Sequence, residues 1–312
     1  MRRKYTRVKG IISEISSHDP YHNIAVETYL FNSHKNDVRL FLWQNEPSVI
    51  FGRNQNTAAE ADLSYMHANG VHAVRRFTGG GAVYHDLGNL NYTFIVNDPS
   101  ADPVPWQKII LASLQKIGIS ASFSGRNDLM AENRKIGGTA WMMEDDRFLF
   151  HGTLLISADF SSMAKILTPS IEKFAGKQIR SVSGRVANLN ELIPKITVQQ
   201  LKDTIIEQFQ KQYPCSFETV DDSCKAVCDM EKQLKDRSWI YGENGECSFI
   251  LHEHMDLETL EIHIYADQGL IERAEVFSDG MAACHHQELE NALKGLPADI
   301  DAVKMFLHRN KF

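Results

Sequence analysis

Short stretches in which apolar residues recur at every second position alternate along this chain with longer ones in which they recur every three to four, a mixture of strands and helices throughout. Asp19-Pro20 opens a predicted helix over 19–31, with Asp19 as N-cap and Pro20 at the first helical position, where the missing N–H is harmless. Residues 38–43 (Val-Arg-Leu-Phe-Leu-Trp) and 48–51 read as strands. Thr57-x-x-Glu60 is a capping box for a helix expected to stop at Gly70. Residues 71–76 predict a strand entering Gly79-Gly80-Gly81, and 89–96 alternate as a strand leaving it. A helix over 106–117 puts Ile110, Leu114 and Ile117 on one face, with Gly118 beyond its end. Residues 134–142 begin a second strand–turn unit, and 148–157 are extended with Leu149, His151, Thr153 and Leu155 on one face. A further helix over 197–213 buries Val198, Leu201, Ile205 and Phe209.

Polar, charged sequence over 216–236 and the turn signal Gly242-Glu243-Asn244-Gly245 mark a boundary. Beyond it, 260–265 and 270–277 alternate about Asp267-Gln268-Gly269 as a hairpin, and short helices close the chain. The expected domains are therefore 1–244 and a small 245–312, with no repeats or low-complexity tract. The first is a mixed α+β fold rather than a dinucleotide-binding one: its glycine run leads into strand, and G-x-G-x-x-G is absent.

With 312 residues the chain is long enough for a full core and two domains, and 43% apolar with 23% charged residues is the balance of a soluble globular protein. A formal net charge of −7 argues against a dedicated nucleic-acid binder. Met1-Arg2-Arg3-Lys4 resembles the basic start of a signal peptide, but Ser13, Glu14, Ser16, Ser17 and Asp19 interrupt any apolar run after it. No window reaches the apolar length of a membrane span, so a cytoplasmic protein without a membrane partner is expected. All five cysteines (Cys215, Cys224, Cys228, Cys247 and Cys284) lie beyond residue 214 without zinc-finger spacing, and free thiols are expected. No thiol nucleophile exists in the glycine-rich half.

That half carries the candidate chemistry. In Arg75-Arg76-Phe77-Thr78-Gly79-Gly80-Gly81-Ala82-Val83-Tyr84-His85-Asp86, two cations lead into three glycines and a His-Asp pair follows. Glycine accepts positive φ and has no Cβ, so successive N–H groups can form an anion nest, and arginines at its mouth would suit a phosphate or carboxylate. The plainer reading is a hairpin turn. Gly125-Arg126-Asn127-Asp128 reads alone as a turn, Lys135 beside Gly137-Gly138-Thr139 as a solvated cation, and His151 as a structural histidine. Together they offer cations for a polyphosphate, a carboxylate for magnesium and two places for close backbone approach, a set suited to activating a carboxylate with a nucleotide.

The order Arg-Arg-x-x-Gly-Gly-Gly-Ala-Val-x-His-Asp-Leu-Gly-Asn, then Gly-Arg-Asn-Asp-Leu, then Arg-Lys-Ile-x-Gly-x-Ala, then His-Gly-Thr-Leu-Leu, closely resembles the lipoate–protein ligase A family. The similarity starts near Tyr21-His-Asn-Ile-Ala-Val-Glu27, continues through 177–189 and runs more faintly into 260–278. The resemblance implies an α+β fold: a biotin/lipoate-ligase-type catalytic domain of mixed sheets with flanking helices, plus a small α+β C-terminal accessory domain. It implies that lipoate and ATP give lipoyl-AMP and pyrophosphate, and that a lysine of an acceptor lipoyl domain then takes the lipoyl group. It places Arg76, Thr78, Gly79, Gly80, Gly81, Ala82, Val83, Tyr84 and Lys135 at the nucleotide. Phe41, Trp43, Arg75, His85, Lys135, Gly137, Thr139 and His151 would lie at lipoate, Lys135 would be catalytic and Asp128 would hold Mg2+. Residues 172–189, with Lys173, Lys177, Arg180 and Arg185, would close over the adenylate and meet an acidic lipoyl domain. A monomer is expected. Phe77 and Gly137 depart from the family pattern, where a smaller polar residue and a serine are more usual. The nearest alternative is a lipoyl or octanoyl transferase using preformed lipoyl-AMP or an acyl carrier; its thiol-dependent form is disfavoured because no cysteine precedes Cys215. Biotin ligases carry a Gly-Arg-Gly-Arg-x-Gly run that is absent. A non-catalytic lipoyl-binding or scaffold protein of the same fold is the reading from a different class.

Overall fold

The computed structural model describes residues 8–33, 36–125, 127–167, 185–241, 249–255, 258–267, 270–280 and 285–310. The main unit runs β1 (Gly10–Glu14), α1 (Pro20–Asn32), β2 (Val38–Trp43), β3 (Ser48–Phe51), α2 (Thr57–Glu60), α3 (Leu63–Ala68), β4 (His72–Arg75), β5 (Val83–His85) and β6 (Asn89–Asn97). It continues with α4 (Val104–Lys116), β7 (Ser122–Ser124), β8 (Asp128–Ala131), β9 (Arg134–Glu144), β10 (Arg147–Leu155), α5 (Phe160–Ile166), α6 (Leu189–Leu192), α7 (Val198–Gln210), β11 (Cys215–Phe217), α8 (Lys225–Lys235) and α9 (Arg237–Tyr241). The small unit holds β12 (Phe249–His254), β13 (Thr259–Asp267), β14 (Leu270–Ser278), α10 (His285–Leu293) and α11 (Ile300–Asn310).

An eight-stranded sheet in the order β11-β1-β2-β6-β10-β9-β8-β7 forms the centre, and β4-β3-β5 make a second, three-stranded sheet. The period-two pattern of the central strands decides which side chains meet. Leu40, Leu42, Tyr92, Phe94, Phe148 and Phe150 face a core closed by α4 and α7, where Trp106 stacks on Phe94. Phe41, Trp43, Ile95 and Leu149 face the opposite side, under α1 and α8. Asn91, Thr93, His151 and Thr153 stand on that same face, which is where the site lies. β12–β14 with α10 and α11 enclose a separate core of Leu251, Leu260, Ile262, Ile264, Leu289 and Val303. The mixed α+β fold with its small C-terminal domain is thus as expected.

Two expectations needed correction. The single helix over 57–70 is broken into α2 and α3, because Ala61 bridges to Leu167 and Asp62 caps a new helix through the Tyr65 N–H. The polar stretch 216–236 is no loose boundary: β11 ends there at the edge of the central sheet, and α8 packs on α1 with Val227 and Leu234 fully buried. Its buried stripe is only those two residues, too sparse to register as a helical period. The 242–245 turn, the hairpin tip 268–269, Cys247, Cys284, Arg126 and the basic residues Lys173, Lys177 and Arg180 of the expected closing segment lie outside the described residues. Cys215, Cys224 and Cys228 are free thiols. No helix among the described residues is long and apolar enough to cross a membrane.

Candidate active site

A cavity of about 400 Å³ opens between the central sheet, the small β4-β3-β5 sheet and the C-terminal domain. Strand register builds its floor. Trp43 pairs with Asn91 and Asn91 with Thr153, while His151 pairs with Thr93 on one side and Ala140 on the other. Gly81, Ala82, Val83 and His85 form one wall, and Asn127, Asp128, Lys135, Gly138 and Thr139 the other. Asp279 reaches in from the C-terminal domain.

Behind the floor runs a buried chain of hydrogen bonds. Trp43 Nε1 donates to Thr93 Oγ1 (3.1 Å), and Thr93 donates to Glu27 Oε1 (2.5 Å). His151 Nδ1 lies 2.9 Å from the same carboxylate oxygen, and its Nε2 3.0 Å from Thr78 Oγ1. Arg76 Nε donates to Thr78 Oγ1 (2.9 Å), and because the Glu27 carboxylate can only accept, the ring nitrogen facing it is the one that donates, which leaves His151 Nε2 to accept from the Thr78 hydroxyl. In the neutral imidazole, the one ring proton therefore sits on Nδ1 and is donated to Glu27. Trp43 in the floor and Arg76 under the glycine loop are thereby joined through one buried carboxylate.

The loop is held from inside. Arg76 donates to the carbonyls of Ile50 (2.9 Å), Gly79 (2.6 Å) and Gly81 (3.0 Å). Burial pushes its guanidinium down to about 10, still charged at neutral pH. Gly80 sits at φ 89°, a conformation that requires glycine, and its N–H donates to the Gly280 carbonyl of the C-terminal domain (2.7 Å). Arg75 does not stand at the mouth of this loop. Its donors all meet backbone carbonyls: Trp239 and Ile240 on one side, and Gly52, Arg53 and Gln55 on the other.

Lys135 Nζ lies 2.7 Å from Asp128 Oδ1, both side chains partly exposed. The register slips between Leu129 and Met130, so that Asp128 faces Gly138 while Lys135 faces Met130. The Lys135 side chain folds back across Gly138, whose missing Cβ leaves that path open. Gly137 instead lies against the Thr153 carbonyl and lines nothing. His85 accepts a hydrogen bond from Asn45 Nδ2 at Nδ1 (3.1 Å), since Asn45 Oδ1 is taken by Asn23. The proton of the neutral ring is therefore on Nε2, which is buried without a partner among the described residues. Burial and the nearby Arg76 charge push this imidazole down to about 3, so it is neutral in ordinary conditions.

Of the residues expected at the site, Trp43, Arg76, Gly81, Ala82, Val83, His85, Asp128, Lys135, Thr139 and His151 line the cavity. Thr78 lies one hydrogen bond behind it. Phe41 stacks behind Trp43 with ring centroids 6.0 Å apart. Tyr84 points to the core beneath α3, where burial pushes its hydroxyl up to about 12. Gly79, Gly80, Gly137 and Arg75 shape or brace the walls rather than lining them. Glu27, Asn91 and Asp279 were missed. The alternation of Asn89, Asn91 and Thr93 with apolar neighbours along β6 would have pointed to Asn91, and an acidic residue inside the apolar stripe of α1 to Glu27; nothing local marks Asp279.

Among the described residues no three His, Cys, Asp or Glu side chains gather as a metal site. Magnesium fits all the same, because it needs only one or two protein carboxylates beside substrate phosphates. Asp128 supplies one, and Asn127 Oδ1 is a buried acceptor without a hydrogen-bond partner among the described residues.

Residues 19–210 match a family described as the lipoyl protein ligase A/B catalytic domain, and 244–312 match the bacterial lipoate protein ligase C-terminus. The chain is similar to LipL1 of P. falciparum, solved in complex with lipoate, at 28% identity and a TM-score of 0.82, covering 96% of this chain and 94% of that one. It is similar to a bi-partite lipoate protein ligase from Thermoplasma acidophilum, described with its E2 lipoyl domain, at 25% identity and a TM-score of 0.66, over 78% and 100% of the two chains. A lipoate-protein ligase A bound with ATP shares the fold, with 24% identity, a TM-score of 0.63 and coverage of 75% and 98%.

Proposed function

Because the chain belongs to the lipoyl protein ligase A/B family, we propose that its cavity joins lipoate to ATP and then passes the lipoyl group to a lysine of an acceptor lipoyl domain. The observation that carries this reading is the placement of Lys135 Nζ across Gly138, in a cavity walled on one side by Gly81, Ala82 and Val83 and floored by Trp43. The lipoyl chain lies along Trp43, His85 and His151, and the α-phosphate meets Lys135 and the Gly81–Val83 wall. One carboxylate oxygen of lipoate attacks the α-phosphorus, the bond to the leaving pyrophosphate breaks, and lipoyl-AMP forms. Lys135 leaves Asp128 for the oxygens on which negative charge grows, a contact that strengthens as water is excluded. In the second step the neutral amine of the acceptor lysine attacks the lipoyl carbonyl; AMP departs with the bonding pair and the amine loses its proton. Lys135 serves again, beside the carbonyl oxygen. Asp128 and Asn127 would hold Mg2+, which supplies charge neutralisation on the phosphates.

The same reading makes 1–244 the catalytic unit and 245–312 the accessory one, in a monomer. It is tested by pyrophosphate release from the purified chain with Mg-ATP and lipoate, with and without an apo lipoyl domain. Lipoate-dependent release with lipoylation of the domain is expected. Transfer from synthetic lipoyl-AMP without release would make the chain a transferase, and failure of both would leave only a binding protein. Lys135→Ala is expected to bind ATP but to lose about 10²–10³ in adenylation rate; near-normal adenylation by that variant would remove Lys135 from its role.

A further inference from the structure

The two family matches end at residue 210 and resume at 244, leaving a connector that neither covers. Its described residues, 211–241, are firmly built in. α8 lies on α1 through Val227 and Leu234, with Glu231 bonded to His22 (2.9 Å) and Lys235 placed over the Tyr21 ring. Asp236 then accepts the Ser238 N–H and starts α9, whose Ile240 is buried beneath the small sheet.

We propose that this connector sets the geometry of the glycine loop, with Trp239 as a positioning residue for ATP acting through Arg75. The inference rests on the reading of that loop as the nucleotide wall.

Arg75 bridges two pieces of backbone. On one side its guanidinium holds the Trp239 and Ile240 carbonyls, the latter at 2.6 Å from NH2. On the other it holds the carbonyls of Gly52, Arg53 and Gln55 at 2.7–3.1 Å. Burial pushes this guanidinium down to about 10, so the carbonyls around it stand in for lost water. The 52–55 turn is what the glycine loop leans on: Arg53 N–H donates to the Thr78 carbonyl (2.9 Å), and a Cβ on Gly52 would overlap the Gly80 carbonyl. Trp239 closes the clasp from the other direction. Its Nε1 donates to the Arg75 carbonyl (2.9 Å), and its ring packs on Phe77 with centroids 4.8 Å apart. Both neighbours of Arg76 are therefore gripped by one side chain, while Arg76 itself holds Gly79 and Gly81. Releasing Trp239 frees the strand end that carries Arg76, and a small misplacement at such a support translates into a large loss in substrate positioning.

The floor that would take lipoate meets Arg76 only at second hand, through His151 and Thr78, whereas Trp239 grips Arg75 and Phe77 directly. The test exploits that separation. Calorimetric titration with Mg-ATP alone and pyrophosphate release with either substrate varied are compared across wild type, Trp239→Ala and Trp239→Phe, each with its melting temperature. Trp239→Ala is expected to raise both the dissociation constant and the KM for Mg-ATP by about tenfold, with the KM for lipoate within about twofold. Trp239→Phe keeps the ring on Phe77 but loses the donor to Arg75, and is expected to fall between, at about threefold. A lowered melting temperature with unchanged Mg-ATP affinity, or equal rises in both KM values, would overturn the clasp. If Trp239→Ala does not fold, an unchanged Mg-ATP affinity in Trp239→Phe overturns it instead. A wild type that binds no Mg-ATP would bring down the nucleotide reading and this inference with it, whereas a wild type that binds and a variant that binds equally well would bring down this inference alone.

Discussion

His85 shows how much of the site is decided by the surroundings of single side chains. Its ring is enclosed, accepts from Asn45, and is pushed down to about 3 from an ordinary histidine value near 6.5. Below 6.5 the unfolded chain binds a proton that the folded chain refuses, so acidification favours unfolding. The stability contributed by a neutral His85 is complete above about pH 6.5 and is lost progressively as the pH falls toward 3. Urea unfolding of wild type and His85→Phe across pH 7 to 4 is expected to show a steeper acid loss in wild type, by up to about 1.4 kcal/mol per pH unit; parallel curves would refute it. Lys135, Arg76, His85 and His151, which line the cavity, were legible through the order of motifs that carries the family resemblance, since Lys135 and His151 taken alone read as a solvated cation and a structural histidine. Arg75 was not, although the physics was available: adjacent residues of a strand point to opposite faces, so Arg75 and Arg76 could not share one mouth.

At the scale of elements, β9 and β10 carry the lysine side of the cavity, and glycines set how closely they pack. Gly137 lies against the Thr153 carbonyl and Gly152 against the Tyr92 hydroxyl, with no room for a Cβ at either place. Gly152→Ala must push Tyr92 out of a fully buried position or part β10 from β6, at an expected loss of about 1–3 kcal/mol in denaturant unfolding. Stability within about 0.5 kcal/mol of wild type would mean the strand adjusts without strain. Gly138→Ala differs, since the obstacle there is the flexible Lys135 side chain; it should leave stability nearly unchanged and lower the adenylation rate. The elements that sequence pattern located well were those with dense apolar periods, such as α4, β6 and β10. α8 escaped because two buried residues on a charged helix, Val227 and Leu234, make too thin a stripe, and its place was fixed by α1 instead. α2 and α3 were read as one helix because Asp62 looks like an ordinary helical residue until Leu167, more than a hundred positions away, pairs with Ala61.

Across the whole molecule, the C-terminal domain owns a core with no residue in common with the other three clusters, yet it touches the site directly. Gly280 accepts from Gly80, Ser278 N–H donates to the Asn54 carbonyl (2.6 Å), and Asn56 donates to Glu261 (2.8 Å). The turn that makes these contacts is held within its own domain: Ser278 and His286 bond to Glu258, and the Thr259 N–H donates to Asp279 (2.8 Å). A core that shares no residue with the rest of the molecule should unfold as its own unit. Ile262 is fully enclosed in that core, so Ile262→Ala is expected to cost it about 2–5 kcal/mol. Calorimetry should then show two transitions, with only the lower one displaced by the substitution. Between them the Gly80 amide, deprived of the Gly280 carbonyl, should exchange with solvent while the amides of β6 and β10 stay protected. A single transition that moves as a whole would mean that the two units fold as one, and a Gly80 amide that stays protected throughout would mean that the glycine loop is held by Arg76 and the 52–55 turn without help from the C-terminal domain.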